Sequence, residues 1–194
     1  MQRKTAETAE GKTPALGDHH ARQLLDAPID DSVRGMLARA LLSTLLFHAL
    51  QRDELCKLTV KDFRHARKGV PHLKVSGKGG KTRWLPLHPG TNGLISDYLE
   101  GAGHGADDNG ALFRPVRNSR NGGLEGAITP DGVYKLVRAY SGTLGFQIGA
   151  HALRATAATN ALDHQADIAK VQEWLVHQHR HHADLRPSPH AAGG

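Results

Sequence analysis

Residues 151–177 form the one stretch in which residue types and spacing could hold a phosphate group. It begins with His151 and Arg154, three positions apart and so on one face of a helix, and it ends with His177. An Arg guanidinium can hold two phosphate oxygens at once, and a His can give or take a proton near neutral pH. A His-x-x-Arg pair alone is more often solvated or structural, so its context along the chain must decide its role.

The charge of the chain favours a polyanionic partner. Its 194 residues carry 25 Lys and Arg against 19 Asp and Glu, a formal charge of +6 at pH 7, although many basic proteins bind no polyanion in particular. The length suits one hydrophobic core. Cys56 is the single cysteine, and no apolar run approaches the roughly 20 residues of a membrane span. We therefore expect no internal disulfide, no membrane partner and a reducing, cytoplasmic location.

Apolar periodicity predicts an α+β fold that is mainly helical, with a small antiparallel β-hairpin or sheet. Leu73 and Val75 alternate with polar residues, a Gly-rich turn follows, and a second extended run ends near residue 88, so the hairpin carries Lys78 at or near its tip. The predicted helices are 21–25, 32–55, a segment from Thr91 that stops at Gly101, a segment that starts at Thr129 and Pro130, and two helices within 151–177.

The chain divides into three regions by composition. Residues 1–20 lack periodicity and are expected to be a disordered leader. Residues 21–177 carry the periodic segments and are expected to be the folded domain. Residues 178–194 contain no apolar period and are expected to be an aberrant, disordered tail.

The ordered motifs resemble those of one family, the catalytic domain of the tyrosine recombinases, or phage-type integrases. The resemblance spans roughly 18–177 and rests on ALQRDEL, SGKGGKTRWLPLH, LFRPV, HALRATAATNAL and ADIAKVQEWLVH in that order. It implies the fold of that domain. It also implies an enzyme that attacks a DNA phosphodiester with a tyrosine, forms a 3′-phosphotyrosine and lets a 5′-hydroxyl reseal it, without metal or nucleotide cofactors.

The resemblance assigns roles around one phosphate. Arg154 matches the second catalytic arginine, and His151 matches the residue that bonds the phosphate and helps take the tyrosine proton. Lys78 matches the general acid for the departing 5′-oxygen, although a hairpin lysine is by default solvent-facing. His177 matches the position that completes the pocket. Loop arginines that could contact DNA backbone, or could simply be solvated, are Arg114, Arg117 and Arg120.

Two departures from the family pattern bear on activity. Gln51 occupies the first catalytic arginine position, and the loss of one such donor typically costs about 10²–10³ in rate. Arg52 is adjacent, but on a helix it would point about 100° away and is expected at the surface. The family nucleophile lies about nine residues beyond the final His. The tyrosines of this chain, all upstream of residue 151, are Tyr98, Tyr134 and Tyr140.

We therefore expect a DNA-binding relative of the site-specific integrases that binds DNA weakly and does not cleave it. It is also expected to lack the family's separate N-terminal DNA-clamping domain. One alternative is an active fragment that receives its tyrosine in trans from another recombinase protomer. Another is metal binding by the tail residues His179, His181 and His182, although they lack a companion Cys or carboxylate set.

A frameshift near His177 is our hypothesis for the tail. One coding choice for LVHQHRHHADLRPSPHAA, read in a shifted frame, gives Thr-Asn-Ile-Ala-Thr-Thr-Arg-Thr-Tyr-Asp-Arg-Arg, the kind of segment the family carries there. We expect the nucleotide sequence downstream of codon 177 to encode a tyrosine-containing segment in another frame. Sequencing the gene and finding no such segment would contradict the hypothesis.

Overall fold

The computed structural model of the chain describes residues 15–116 and 125–163, with every side chain in them except those at 78 and 161–163. The described part is mainly helical, with one small antiparallel sheet, as predicted. Its elements are α1 (Asp18–Asp26), α2 (Val33–His48), α3 (Arg52–Cys56), α4 (Val60–Phe63), β1 (His65–Arg67), β2 (Val70–Ser76), a 3-10 turn (Lys78–Gly80), β3 (Thr82–Pro86), α5 (Pro89–Ala102), α6 (Pro130–Thr143) and α7 (Ala150–Asp163).

Helix α2 is the central element of the core. Its start is capped by Ser32, whose hydroxyl accepts a hydrogen bond from the Gly35 amide at 3.2 Å. It is apolar almost all round, and α1, α5 and α7 pack against it. Fully or nearly fully buried leucines along it are Leu37, Leu41, Leu42, Leu45 and Leu46.

The single helix predicted over 32–55 is wrong, because α2 ends at His48. Ala49 takes a left-handed conformation with φ of 52° and turns the chain. Gln51 is then extended and serves as the N-cap of α3. The Glu54 carboxylate accepts a hydrogen bond from the backbone amide of Gln51 at 2.9 Å. In a continuous helix this backbone donor would have had a different partner.

The predicted hairpin is confirmed as β2 and β3, which pair antiparallel with Lys74 opposite Trp84. Leu73, Val75 and Leu85 are buried, so one face of the sheet covers the core. The sequence pattern missed β1, which pairs with the outer edge of β2. Three residues, His-Ala-Arg, are too few to show an alternating apolar pattern.

Helix α5 runs past its predicted stop at Gly101. It ends at Ala102 and is capped by Gly103, which has φ of 69° and donates back to the carbonyls of Leu99 and Glu100. Gly101 instead permits close packing, because a Cβ there would lie 2.5 Å from the Met36 sulfur.

The loop after α5 is anchored by an apolar pair, since Leu112 and Phe113 are both buried. The Arg114 amide donates to the Tyr98 hydroxyl at 3.0 Å. This bond ties the segment that follows the apolar pair to α5.

Helices α6 and α7 complete the described core. The Thr129 hydroxyl accepts from the Gly132 amide at 3.0 Å, which confirms the predicted cap of α6. Helix α7 packs on α2 through small buried residues such as Ala152. Its Thr156 hydroxyl accepts from the Leu16 amide at 2.8 Å and so ties down the chain before α1.

Several sequence-based expectations concern residues at the edge of the described ranges or outside them. Helix α1 begins at Asp18, so the expected boundary between leader and domain at residue 21 falls inside a helix. The rest of the predicted leader up to residue 14, the second helix of the 151–177 stretch and the tail from 178 lie outside the described residues. Among the described residues, no helix is long and apolar enough to cross a membrane.

His48 is a buried titratable group at the end of α2. Its Nδ1 donates to the Thr44 carbonyl at 3.2 Å, and its Nε2 accepts from the His88 amide at 3.1 Å. Burial lowers the pKa of His48 from 6.5 to about 4 because the imidazolium would be desolvated; the Thr44 carbonyl opposes this shift and the charge of His88 adds to it.

Stability should therefore fall as the pH drops below 6.5. The unfolded chain binds a proton at His48 near pH 6.5, whereas the folded chain does so only near pH 4, so protonation favours unfolding across this window. We expect a loss of about 2 kcal/mol between pH 8 and pH 5, measured by urea unfolding. The variant His48→Gln can keep both hydrogen bonds without titrating, and an unchanged pH dependence in it would contradict this account.

Candidate functional site

A surface pocket of about 290 Å³ brings together residues that are far apart in the chain. Gln51 and Arg52 enter it from the start of α3, and His151 and Arg154 enter it from the first turn of α7. Four of the residues singled out in the sequence are therefore neighbours, although about a hundred positions separate the two pairs.

Arg154 is the most buried cation of the pocket, with 8% of its surface exposed, whereas His151 is exposed. Burial lowers the pKa of Arg154, the charge of Glu54 raises it, and the charge of Arg83 lowers it, with a net downward shift. The guanidinium still remains protonated at neutral pH, because an arginine side chain is not deprotonated in proteins. The pocket thus contains a permanent, partly desolvated positive charge, and an anion placed there interacts more strongly than in bulk water.

A buried ion pair between Glu54 and Arg83 supports the floor of the site. The two Arg83 terminal nitrogens donate to the two Glu54 oxygens at 2.7 and 2.8 Å, and the side chains of Arg83 and Glu54 are 13% and 9% exposed. Burial alone would raise the pKa of Glu54. Its hydrogen bonds from Arg83 and the Gln51 amide, with the charges of Arg83 and Arg154, outweigh burial and hold this pKa below its usual value.

Arg52 lies at the surface, as expected, but it also lines the pocket. Because Gln51 is an extended cap and not a residue within a helix, the predicted 100° offset between it and Arg52 does not apply. Arg52 is exposed, yet its guanidinium lies 5.7 Å from the centre of the Tyr134 ring and lines the pocket. The Arg138 guanidinium lies 5.6 Å from the same ring, so α6 presents an aromatic face flanked by two cations.

The other candidate residues lie away from the pocket or outside the described residues. The backbone of Lys78 lies in the turn between β2 and β3, as predicted, but its side chain lies outside the described residues. Arg114 pairs with the Asp107 carboxylate and does not line the pocket. Arg117, Arg120 and His177 lie outside the described residues, as do the tail histidines His179, His181 and His182. Among the residues that are described, no group of His, Cys, Asp and Glu could hold a metal ion.

The sequence reading missed Glu54, Arg83 and Tyr134 as parts of the site. A signal for Arg83 was present, because strand alternation puts it on the same face as the apolar Leu85 and Leu87. A charge on a core face requires a partner, and Glu54 is that partner. No comparable signal pointed to Tyr134, whose position depends on how α6 packs beside α3.

Solved recombinase structures have the same fold as this chain. A XerA recombinase structure gives a TM-score of 0.69 at 22% identity, covering 85% of this chain and 56% of that one. The lambda integrase catalytic core gives a TM-score of 0.62 at 14% identity, covering 84% of this chain and 90% of that one. A XerH site-specific recombinase in a post-cleavage complex with its difH substrate gives 0.68 at 25% identity, covering 86% and 47%. The described fold is that of a tyrosine recombinase catalytic domain.

The family follows from the sequence comparison. Residues 15–185 match the phage integrase family, and the chain belongs to that family of tyrosine recombinases. The tyrosine recombinase XerC of Pelobacter propionicus is 33% identical over 157 residues, 81% of this chain and 49% of the relative. XerC of Corynebacterium glutamicum is 34% identical over 164 residues, which are 84% of this chain and 50% of that relative. The chain spans about half the length of these relatives, and the family resemblance expected from its motifs is confirmed.

The Glu54–Arg83 pair should be far more important for stability than an exposed pair. Arg83→Gln leaves the buried Glu54 carboxylate without its partner, and we expect the free energy of unfolding to fall by about 3 kcal/mol or more. The control is Asp108→Asn, which breaks the exposed pair between Arg64 and Asp108 and should cost under about 1 kcal/mol. Similar losses in the two variants, measured by urea unfolding at pH 7, would rule out this role of Arg83.

Proposed function

We propose that the pocket binds one backbone phosphate of duplex DNA, and that this chain is a DNA-binding member of its family that does not itself cleave DNA. The observation that carries the proposal is the convergence of Gln51, Arg52, His151 and Arg154 on one pocket. The DNA complexes of XerH and of lambda integrase, both similar in fold, support DNA as the partner. A lambda integrase dimer bound to a core site supports other recombinase protomers as further partners.

The charges of the pocket favour a phosphate over a neutral ligand. Arg154 can offer a guanidinium to two phosphate oxygens, and His151 can add a hydrogen bond from the same helical turn. The start of helix α7 lies on that side of the pocket, and its helix dipole adds a partial positive charge there. Asp53 also lines the pocket and opposes an anion, but the Glu54 carboxylate is already neutralised by Arg83.

Arg52 is proposed to supply part of the charge that Gln51 does not. Gln51 can donate a hydrogen bond to phosphate but has no charge. Arg52 lies at the pocket wall over the Tyr134 ring, which holds a guanidinium near the pocket at a modest cost in side-chain freedom. Two guanidinium groups, those of Arg52 and Arg154, would then face the same phosphate from α3 and α7.

Cleavage needs an activated tyrosine, and the three tyrosines of the chain are poorly suited to that role. Burial raises the pKa of Tyr98, whose hydroxyl is also occupied by the Arg114 amide. Burial likewise raises the pKa of Tyr140. Tyr134 contributes its ring to the pocket wall, between two guanidinium groups. The sequence from 141 to 194 contains no tyrosine, which supports the proposal that this chain forms no phosphotyrosine.

Restoring the first arginine should strengthen DNA binding. In Gln51→Arg we expect the affinity for a duplex of about 30 base pairs to rise several-fold, with a salt slope steeper by about 0.9, as for one added phosphate contact. Arg52→Gln should change both quantities in the opposite direction. The control is Arg22→Gln on α1, which should leave both unchanged. Fluorescence anisotropy from 50 to 200 mM salt measures them. A loss in Arg22→Gln as large as that in Arg52→Gln, or no gain in Gln51→Arg, would contradict the proposal.

Incubation with a nicked duplex should give no covalent protein–DNA adduct on denaturing gels, with an intact tyrosine recombinase as the positive control. An adduct would show that the non-cleaving proposal is wrong. Its loss in Tyr134→Phe would then identify Tyr134 as the nucleophile.

A further inference from the structure

The positive charge of the chain is concentrated in one segment. Residues 63–96 contain seven Lys and Arg and no Asp or Glu. The chain has 25 Lys and Arg in total, so 18 remain elsewhere against 19 Asp and Glu. The whole net charge of +6 therefore comes from the segment that forms the three-stranded sheet and its turns. Its cations are Arg64, Arg67, Lys68, Lys74, Lys78, Lys81 and Arg83.

Two of these cations are neutralised within the fold. Arg83 pairs with Glu54, and Arg64 pairs with Asp108. Among the described side chains, none of the carboxylates forms an ion pair with Arg67, Lys74 or Lys81. The charges of these three side chains are thus not neutralised by any of the described carboxylates.

The sheet has one face towards the core and one face towards solvent. Leu73, Val75 and Leu85 are buried on the core side, and Arg83 reaches Glu54 from that side too. Strand alternation therefore puts Lys74 and Trp84, which are paired across β2 and β3, on the outer face. This outer face is on the opposite side of the sheet from the Glu54–Arg83 pair that supports the pocket.

On this outer face, one cation from β1 and one from β2 lie against the ring of Trp84 on β3. The Arg67 guanidinium lies 5.3 Å from its ring centre and the Lys74 ammonium lies 5.9 Å from it. The His65 ring packs edge to face against the Trp84 ring, with 4.7 Å between the ring centres. Cation–π contacts at exposed sites are weak, so they orient the two cations without neutralising either charge. Like charges on neighbouring strands repel, and an anion bound between them would relieve that repulsion.

We propose that the outer face of the sheet, defined by His65, Arg67, Lys74 and Trp84, is a second DNA-binding surface that contacts backbone phosphates. It rests on the proposed function only in the choice of DNA as the polyanion. Because the face lies away from the pocket, the phosphates it contacts belong to a different stretch of duplex from the one in the pocket. Charge complementarity with a phosphate backbone carries the proposal.

The double variant Arg67→Gln/Lys74→Gln tests it. If both cations contact phosphates, the salt slope of duplex binding should fall by about 1.8 and Kd at physiological salt should rise about tenfold. The double variant Arg22→Gln/Lys135→Gln loses the same charge from α1 and α6, and it should change neither quantity. Equal changes in the two double variants, or no change in the first, would overturn the proposal.

A local readout keeps the test independent of stability. In a Trp174→Phe background, Trp84 is the remaining tryptophan, and its emission should change on DNA titration as Arg67 and Lys74 move towards phosphates. Unchanged Trp84 emission at saturating duplex would overturn the proposal. Loss of self-association in the Arg67→Gln/Lys74→Gln variant, seen by sedimentation without any change in DNA binding, would assign the face to a second copy of the chain and overturn it as well.

The outcome separates this proposal from that for the pocket. If Arg52→Gln weakens binding and the outer-face variant does not, the pocket proposal stands and the second surface is wrong. If only the outer-face variant weakens binding, the second surface stands and the pocket proposal is wrong.

Discussion

The bidentate ion pair between Glu54 and Arg83 is the contact on which the arrangement of the site depends. It joins β3 to α3, and the same Glu54 carboxylate caps α3 by accepting from the Gln51 amide. One carboxylate therefore sets the position of the hairpin and the direction in which Gln51 and Arg52 enter the pocket. A buried pair of this kind costs desolvation and adds little net stability over an apolar replacement, but loss of either partner leaves an uncompensated charge.

The pair also determines the charge balance of the pocket. Without Arg83, Glu54 would be a second carboxylate beside Asp53, and the region around Arg154 would be nearly neutral. With Arg83 engaged, the charges of Arg52 and Arg154 exceed that of Asp53. The sheet thus makes the pocket positive from its core side. On its outer face, Arg67 and Lys74 form no ion pair with any carboxylate in the described part of the chain, and they give the molecule a second positive surface.

Much of the fold could be predicted from the sequence, because it depends on local patterns. The alternation of Leu73 and Val75 indicated the hairpin, and Thr129 before Pro130 indicated the start of α6. The break at Ala49 could not be predicted, since a left-handed alanine has no local signature, and the partner of Glu54 comes from a distant strand. For the same reason His151 and Arg154 could be selected by motif, whereas the contact of Arg52 with Tyr134 needed the tertiary structure.

The central claim is that Arg154 and its neighbours bind a DNA phosphate, and side-chain NMR of the arginines tests it most directly. The Nε–H resonances of Arg154 and Arg52 should shift on addition of a short duplex, and the shifts should reverse as salt rises. The resonance of Arg22, on α1, serves as the internal control and should stay in place. Saturating duplex that leaves Arg154 and Arg52 unshifted while other resonances of the protein move would contradict the account.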